Sequence, residues 1–352
     1  MTYKYNKGEW SELYTFLNVL ASGELYAANE KLEKDTSTKY KVLSAFQKDV
    51  EYVRSETNSK VFFEYNSTEY EIPFDQFDEY SKKLFNGIKQ GKGRTFSIKE
   101  IDSFIDALKI SSLKAGSRKK GDLLIKIDDI FTAQYQKLNF SVKSYIGSKP
   151  TLLNASEGTI LQFSLTEKIP DKNIDLINDI STPAKIKDRI LKLKEMGIGL
   201  NYHDVPSPIF KKNLQMIDYR LPELISKLYL ESYFVPGKRI SAVVDSFLKN
   251  NPSEDKDIII YKIKQLLIAA ALGMVPLTPW LGLEEANGGY IVVKDNSDVL
   301  CYHIYDRNRL SEYLYNHTAF DTPSTGRTSV GKVIRNENGE LGFNLTMQIR
   351  FI

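Results

Sequence analysis

The chain has 352 residues, of which 42% are hydrophobic, 26% charged and 12% aromatic. That composition excludes a disordered chain, a collagen-like repeat and a disulfide-stapled miniprotein. Lys and Arg number 48 against 45 Asp and Glu, a formal charge of +3, which excludes a histone-like basic tail and a strongly acidic solvating protein but leaves local basic surfaces open.

The single cysteine, Cys301, allows neither an intramolecular disulfide nor a cysteine-based zinc finger. Met1 to Glu12 is polar and lacks an apolar run of signal-peptide length. Glu9 to Ala21 reads as a helix, with Leu13, Phe16, Leu17 and Leu20 on one face and Ser22-Gly23 as its stop. Residues 36–56 continue in helical style. Lys60 to Ile72 reads as a hairpin, because Val61, Phe62, Phe63, Tyr65, Tyr70 and Ile72 flank the turn-like Asn66-Ser67. Ser97 to Ile110 has a helical stripe of Ile98, Ile101, Phe104, Ile105 and Leu108, with Ser97 and Glu100 at capping-box spacing. Leu123 to Ile127, Asn139 to Ile146 and Thr159 to Leu165 read as strands.

After Pro170 the pattern turns helical. Thr182-Pro183 opens one helix and Gly197 ends it; Leu221 to Tyr233, Ile240 to Leu248 and Ile258 to Leu272 follow. Gln265 to Leu283 is uncharged but contains Gly273, Pro276, Pro279 and Gly282, so a buried helix and a turn are expected rather than a membrane span. A soluble, cytoplasmic protein with no membrane partner is the expectation. From Gly288 the pattern is β-like: Gly289 to Val293, Val299 to Tyr305, and Leu341 to Phe351 after the turn Glu337-Asn338-Gly339. The chain divides into 1–95 (helices and a hairpin joined to the core), 96–170 (core strands), 171–285 (a helical insert) and 286–352 (a β-rich end).

The chemistry concentrates on two strands. Gly121-Asp122-Leu-Leu-Ile125 is followed on the next strand by Ser141-Val142-Lys143. An acid opening one strand and a lysine on its neighbour suit a magnesium-dependent phosphodiesterase. The carboxylate would hold the cation at the scissile phosphate, and the ammonium would sit beside the attacking water. Ser141 and Lys143 are two apart and share a face, while Val142 faces the core. The same pattern also fits a solvated sheet face, and spacing does not decide between the two. Asp128 and Asp129, at the strand's far end, are alternatives to Asp122.

Around these strands the chain resembles the PD-(D/E)XK nuclease superfamily, and more closely the HpaII-like type II restriction endonucleases. The resemblance is carried in order by Lys7-Gly-Glu-Trp-Ser-Glu-Leu-Tyr14, Phe140-Ser-Val-Lys-Ser144 and Pro150-Thr-Leu-Leu-Asn-Ala155. It continues through Gly288-Gly-Tyr-Ile-Val-Val-Lys294, Cys301-Tyr-His-Ile-Tyr305, Phe320-Asp-Thr-Pro-Ser-Thr-Gly-Arg327 and Gln348-Ile-Arg-Phe351. It implies a mixed-sheet α/β core of the restriction-endonuclease kind, flanked by helices, and magnesium-dependent cleavage of double-stranded DNA at CCGG-type sites. It also implies a companion DNA methyltransferase of the same specificity. Whether one chain or a homodimer acts on the duplex stays open.

Two departures stand out. Gly121 replaces the usual Pro, and Ser141 replaces the acid two before the lysine. A hydroxyl is a poor magnesium ligand, so a second acid is needed, with Glu12 favoured over Glu157. The expected metal ligands are Asp122, the Val142 carbonyl and Glu12, with Ser141 hydrogen-bonding a metal-bound water.

For DNA, the acid-free stretch Lys82, Lys83, Lys89, Lys92 and Arg94 and the run Arg118-Lys119-Lys120 leading to Asp122 suit phosphates, or else are solubilising charge. Arg327 is the expected guanine reader, since arginine bonds guanine bidentately. Asn154 and His317 are further DNA candidates, and Arg350 a weaker one. His203, His303 and His317 are too scattered for a metal cluster, and Gly91-Lys92-Gly93 is too short for a phosphate loop. Two rival readings remain: a DNA-binding protein on this scaffold that has lost catalysis, and a protein-interaction module built on 171–285.

Overall fold

The structure is a computed structural model describing residues 2–113, 121–129, 134–147, 149–323, 330–335 and 339–352. It opens with α1 (Lys7–Ser22), β1 (Glu24–Ala28), β2 (Lys34–Gln47), β3 (Val50–Ser55), β4 (Lys60–Tyr65), β5 (Thr68–Pro73), α2 (Phe74–Gln90), α3 (Lys99–Ala107), β6 (Leu123–Asp129) and β7 (Gln134–Ser144). Then come β8 (Thr151–Leu153), β9 (Ile160–Leu165), α4 (Asp171–Asn178), α5 (Lys185–Glu195), β10 (Leu200–Asp204), α6 (Pro208–Ile217), α7 (Leu221–Glu231), α8 (Ile240–Asn250) and α9 (Lys256–Leu272). The chain closes with β11 (Gly289–Val293), β12 (Val299–His303), α10 (Arg307–His317), β13 (Thr318–Asp321), β14 (Val333–Arg335), β15 (Leu341–Thr346) and β16 (Gln348–Phe351).

Two units share these elements. The first comprises residues 1–150, 271–273 and 283–313; the second comprises 151–270, 274–282 and 314–352. The stretch 286–352 is therefore divided, with β11 and β12 in the first unit and β13 to β16 in the second. The mixed α/β class holds.

The first unit is built on a nine-stranded sheet ordered β1-β12-β11-β7-β6-β2-β3-β4-β5. β1 also pairs with β2, so the strands from β1 through β12, β11, β7 and β6 to β2 form a closed circuit. α1 packs on β7 and β2. Its start is fixed by a capping box: the Asn6 side chain accepts from the Glu9 amide at 3.0 Å, and Glu9 accepts from the Asn6 amide at 2.8 Å. Gly23 ends it in the left-handed region at φ 72°. Trp10, Leu13, Phe16, Leu17 and Leu20 are completely buried against strand residues such as Phe140, Val142 and Ile291.

Three expectations are corrected here. Residues 36–56 are not helical but form β2 and β3. Tyr40 and Val42 are buried while Lys39 and Lys41 are exposed, a period of two that the next stretch breaks, since Ser44, Ala45 and Phe46 are all buried. The reversal between the strands sits at Lys48, with φ 52°. Ser97 does not cap α3, whose N-cap is Ile98 without a side-chain bond. An antiparallel bridge between Tyr5 and Phe96 holds that backbone extended just before the helix. The β-like reading from Gly288 onward misses α10. By contrast, the hairpin over 60–72 forms as expected, with Asn66 and Ser67 both left-handed at φ 50° and 58°.

In the second unit, one sheet is ordered β10-β9-β15-β14 and another β13-β16-β8. The helix expected from Thr182-Pro183 begins later, at Lys185. Arg189 on α5 is 4% exposed; its guanidinium donates to the carbonyls of Gly331 (2.6 Å), Asn178 (2.7 Å) and Ile180 (2.8 Å). Among the described residues no helix is long and apolar enough to cross a membrane.

Candidate active site

β6 and β7 run antiparallel, and Leu123 opposite Phe140 is the last register pair at the β6 start. One residue earlier, the Asp122 amide still donates to the Phe140 carbonyl at 2.9 Å. β6 therefore stops where β7 continues, and the Asp122 side chain fills the vacated edge. Its Oδ2 accepts from the Val142 amide at 2.8 Å and from the Ser141 hydroxyl at 3.2 Å. A strand residue's N–H and C=O point to the same side. The Val142 carbonyl is thus directed past the end of β6, toward the side where Asp122 lies.

The pleat separates the rest. Phe140 and Val142 belong to the core shared with α1, so Ser141 and Lys143 lie on the opposite face of β7. Ser141 is fully buried and Lys143 half-buried. The Ser141 hydroxyl orients Asp122.

Glu12, on α1, joins this group electrostatically. Burial, then the charge of Asp122, pushes its carboxyl up to about 8, against a lowering by Lys143 and a further rise from Glu9. A buried carboxyl raised by a neighbouring carboxylate, beside a lysine and a peptide carbonyl, suits a hard cation, which prefers oxygen ligands and relieves the repulsion. Among the described residues no group of three or more His, Cys, Asp or Glu side chains is placed to hold a metal. Two carboxylates and a backbone oxygen are what these residues could offer a cation.

Sequence reasoning passed over Tyr290 as a site residue. It lies directly beside Ser141 in the parallel β11–β7 register and opposite Tyr302 on β12. Burial holds its phenol well above the usual tyrosine range, with the charges of Tyr313 and Asp122 adding. Tyr302 stacks on Tyr313, whose hydroxyl lies 2.5 Å from that of Tyr145. The position of Tyr290 across two strands from Asp122 is a register fact, which no linear spacing displays.

The remaining expected residues are dispersed. Glu157 and Asn154 are exposed residues of the second unit, Glu157 opening a short 3-10 turn and Asn154 following β8. His317 ends α10, and its carbonyl accepts from the Ile352 amide. Arg350 is ion-paired with Asp321 across β16 and β13 at 2.9 Å. Lys82 and Lys83 pair with Asp78 and Glu79 one turn back on α2, which fits a solubilising face. Asp128 stands at the far end of β6, opposite Tyr135. Arg118, Lys119, Lys120 and Arg327 lie outside the described residues, as does the side chain of Asp129. A cavity of about 560 Å³ in the second unit, lined by Gln162, Ser164, His203, Arg335 and Asn344 among others, contains none of the candidate catalytic residues.

Comparison with known proteins bears on the whole chain. The sequence profile described as HpaII restriction endonuclease matches residues 6–351. The type II restriction enzyme HpaII of Haemophilus parainfluenzae is 36% identical over 357 aligned positions, covering 99% of this chain and 98% of that protein. No solved structure matches the chain.

Proposed function

The chain belongs to the HpaII restriction endonuclease family, and on that premise we propose that Asp122, Ser141 and Lys143 form the centre at which it hydrolyses DNA phosphodiesters. It is a type II restriction endonuclease, a sequence-specific deoxyribonuclease acting on double-stranded DNA with a divalent metal. The observation that carries the site assignment is the Asp122 carboxylate at the end of β6. It is bonded to the Val142 amide and the Ser141 hydroxyl, with Lys143 next on that strand.

In this reading Asp122, the Val142 carbonyl and Glu12 hold the cation, which we take to be Mg²⁺. When bound, it polarises the scissile phosphate and stabilises charge on the leaving oxygen. Ser141 fixes the Asp122 rotamer through its hydroxyl. Lys143 orients the attacking water and offsets negative charge developing on the phosphate. Glu12 carries a proton near neutral pH when no cation is present, because it is buried and the charge of Asp122 adds to the effect. Glu157 is the alternative second acid. The core is then of the PD-(D/E)XK kind with its second acid moved off β7.

The target we propose is a CCGG-type site. Arg327 would read guanine, and Asn154 and His317 would add contacts. Arg118, Lys119 and Lys120 would neutralise phosphates on the approach to Asp122. We place the enzyme in the cytoplasm beside a methyltransferase of the same specificity. Each chain carries one such centre, so cutting both strands takes a second copy of the chain or a second encounter. Digestion of a sequenced plasmid with Mg²⁺, with and without CpG methylation, followed by end mapping, tests the reading. Ends at one short repeated sequence, blocked by methylation, support it; scattered ends or none overturn it.

A further inference from the structure

In the second unit, α7 is followed by a short turn, Ser232 to Phe234, and then by the tight turn Pro236-Gly237-Lys238. Gly237 and Lys238 are both left-handed, at φ 69° and 52°. Only glycine adopts that conformation without cost, so a lysine there is held by its surroundings. The Arg239–Ala319 bridge ties the turn to β13.

The side chain of Lys238 is half-buried. Its Nζ donates to the Thr322 hydroxyl at 2.7 Å and stands 3.9 Å from the centre of the Tyr233 ring. Among the described residues no carboxylate is paired with it. Asp321 is the acid whose charge acts on it, but its oxygens are engaged elsewhere. One accepts from the Thr322 amide at 2.9 Å, and the other pairs with Arg350 at 2.9 Å. A partly desolvated ammonium resting on a hydroxyl and a ring face, without a counter-ion, is an uncompensated charge. Such a group is stabilised by an anion brought from outside. Thr322 also begins the segment leading to Arg327.

We propose that Lys238 is a phosphate-contacting residue, and that a DNA backbone phosphodiester supplies the anion it lacks. This rests on the reading of the chain as a DNA-cleaving enzyme and extends it to the second unit. The surroundings make the contact sensitive to pH. Burial lowers the ammonium to about 8, with Asp321 opposing. The other groups around it keep one charge state near that value. Burial holds the Tyr233 and Tyr229 phenols above their ordinary range, so both stay neutral, and Arg350 is a permanent cation. A phosphate favours the charged amine, so binding should weaken as pH rises through and beyond about 8.

The test is equilibrium binding by fluorescence anisotropy with the full chain in EDTA. It uses one duplex carrying CCGG and one with that site scrambled, over a salt series. Lys238→Met should weaken both duplexes by the same factor and reduce the slope of log affinity against log salt by about 1. Between about pH 7 and about pH 9 the natural chain should lose more affinity than Lys238→Arg, the loss common to both being the ionisation of Glu12 at the metal-free centre. Melting temperatures of both variants establish that they are folded. An unchanged salt slope in a folded Lys238→Met chain overturns the proposal, and so does a loss confined to the CCGG duplex, which would mark base reading. If Lys238→Met does not fold, a pH dependence in Lys238→Arg equal to the natural chain's overturns it equally. A natural chain that binds neither duplex and cuts no plasmid would sink the DNA reading itself, a result distinguishable from failure of the Lys238 assignment alone.

Discussion

Replacing Glu12 by Gln should stabilise the metal-free protein at neutral and alkaline pH while removing metal-dependent cleavage. The Glu12 carboxyl is raised from 4.5 to about 8 in the folded chain. Below the unfolded value both states hold the proton and the group contributes nothing. As pH rises from 4.5 toward 8, the unfolded chain releases the proton and the folded chain keeps it. The unfolded state then binds fewer protons, so stability falls with pH across that window. At ~1.4 kcal/mol per unit the shift sets an upper bound of roughly 5 kcal/mol, which partial solvation and relaxation reduce to about 1–3 kcal/mol. Urea unfolding of both chains in EDTA, at about pH 5 and about pH 8, isolates the term as their difference. The advantage of Glu12→Gln should grow by that amount over the interval. A difference that does not change with pH would refute the electrostatic coupling of Glu12 to Asp122 and to its buried setting. Mg²⁺ should reverse the order, because it favours the ionised carboxylate: it should stabilise the natural chain more than the variant and release a proton on binding.

Two further substitutions separate structural from recognition arginines. Arg189→Met should leave one buried and two partly buried carbonyls without their donor and cost about 2–3 kcal/mol, read as a lowered unfolding midpoint. DNA affinity measured well below that midpoint should be unchanged. Arg327→Ala should weaken binding to a CCGG duplex by ~1–3 kcal/mol and relax selectivity at one base position. A panel of single-base-changed duplexes checks it, and a uniform loss across the panel would reassign Arg327 to the phosphate backbone.

What the sequence disclosed depended on whether a signal was local. α1 was legible because its apolar stripe lies within its own turns and its Ser22-Gly23 stop directly follows them. The hairpin at Asn66-Ser67 was legible for the same reason. β2 was not, because its outer half is polar and its inner half is buried on both faces, which removes the alternation. α2 was hidden by its lysines, which drew attention as a DNA stretch although two of them pair with acids a turn earlier. At the site, Asp122 and Lys143 were named from position on neighbouring strands. The double acceptance by Asp122 Oδ2 was not, since it depends on where β6 stops relative to β7. Tyr290 and Lys238 escaped notice because what marks them is register, backbone conformation and the lack of a paired carboxylate among the described residues, and each of these belongs only to the folded chain.

The central claim is that the end of β6 and the adjoining Ser141-Val142-Lys143 of β7 cut DNA. Single-turnover cleavage of a CCGG-containing duplex in Mg²⁺, with natural chain, Asp122→Ala and Lys143→Ala at saturating protein, tests it most directly. The natural chain should cut at the site. Both variants should remain folded, bind the duplex and leave it intact. Cleavage by either variant at the natural rate would contradict the assignment.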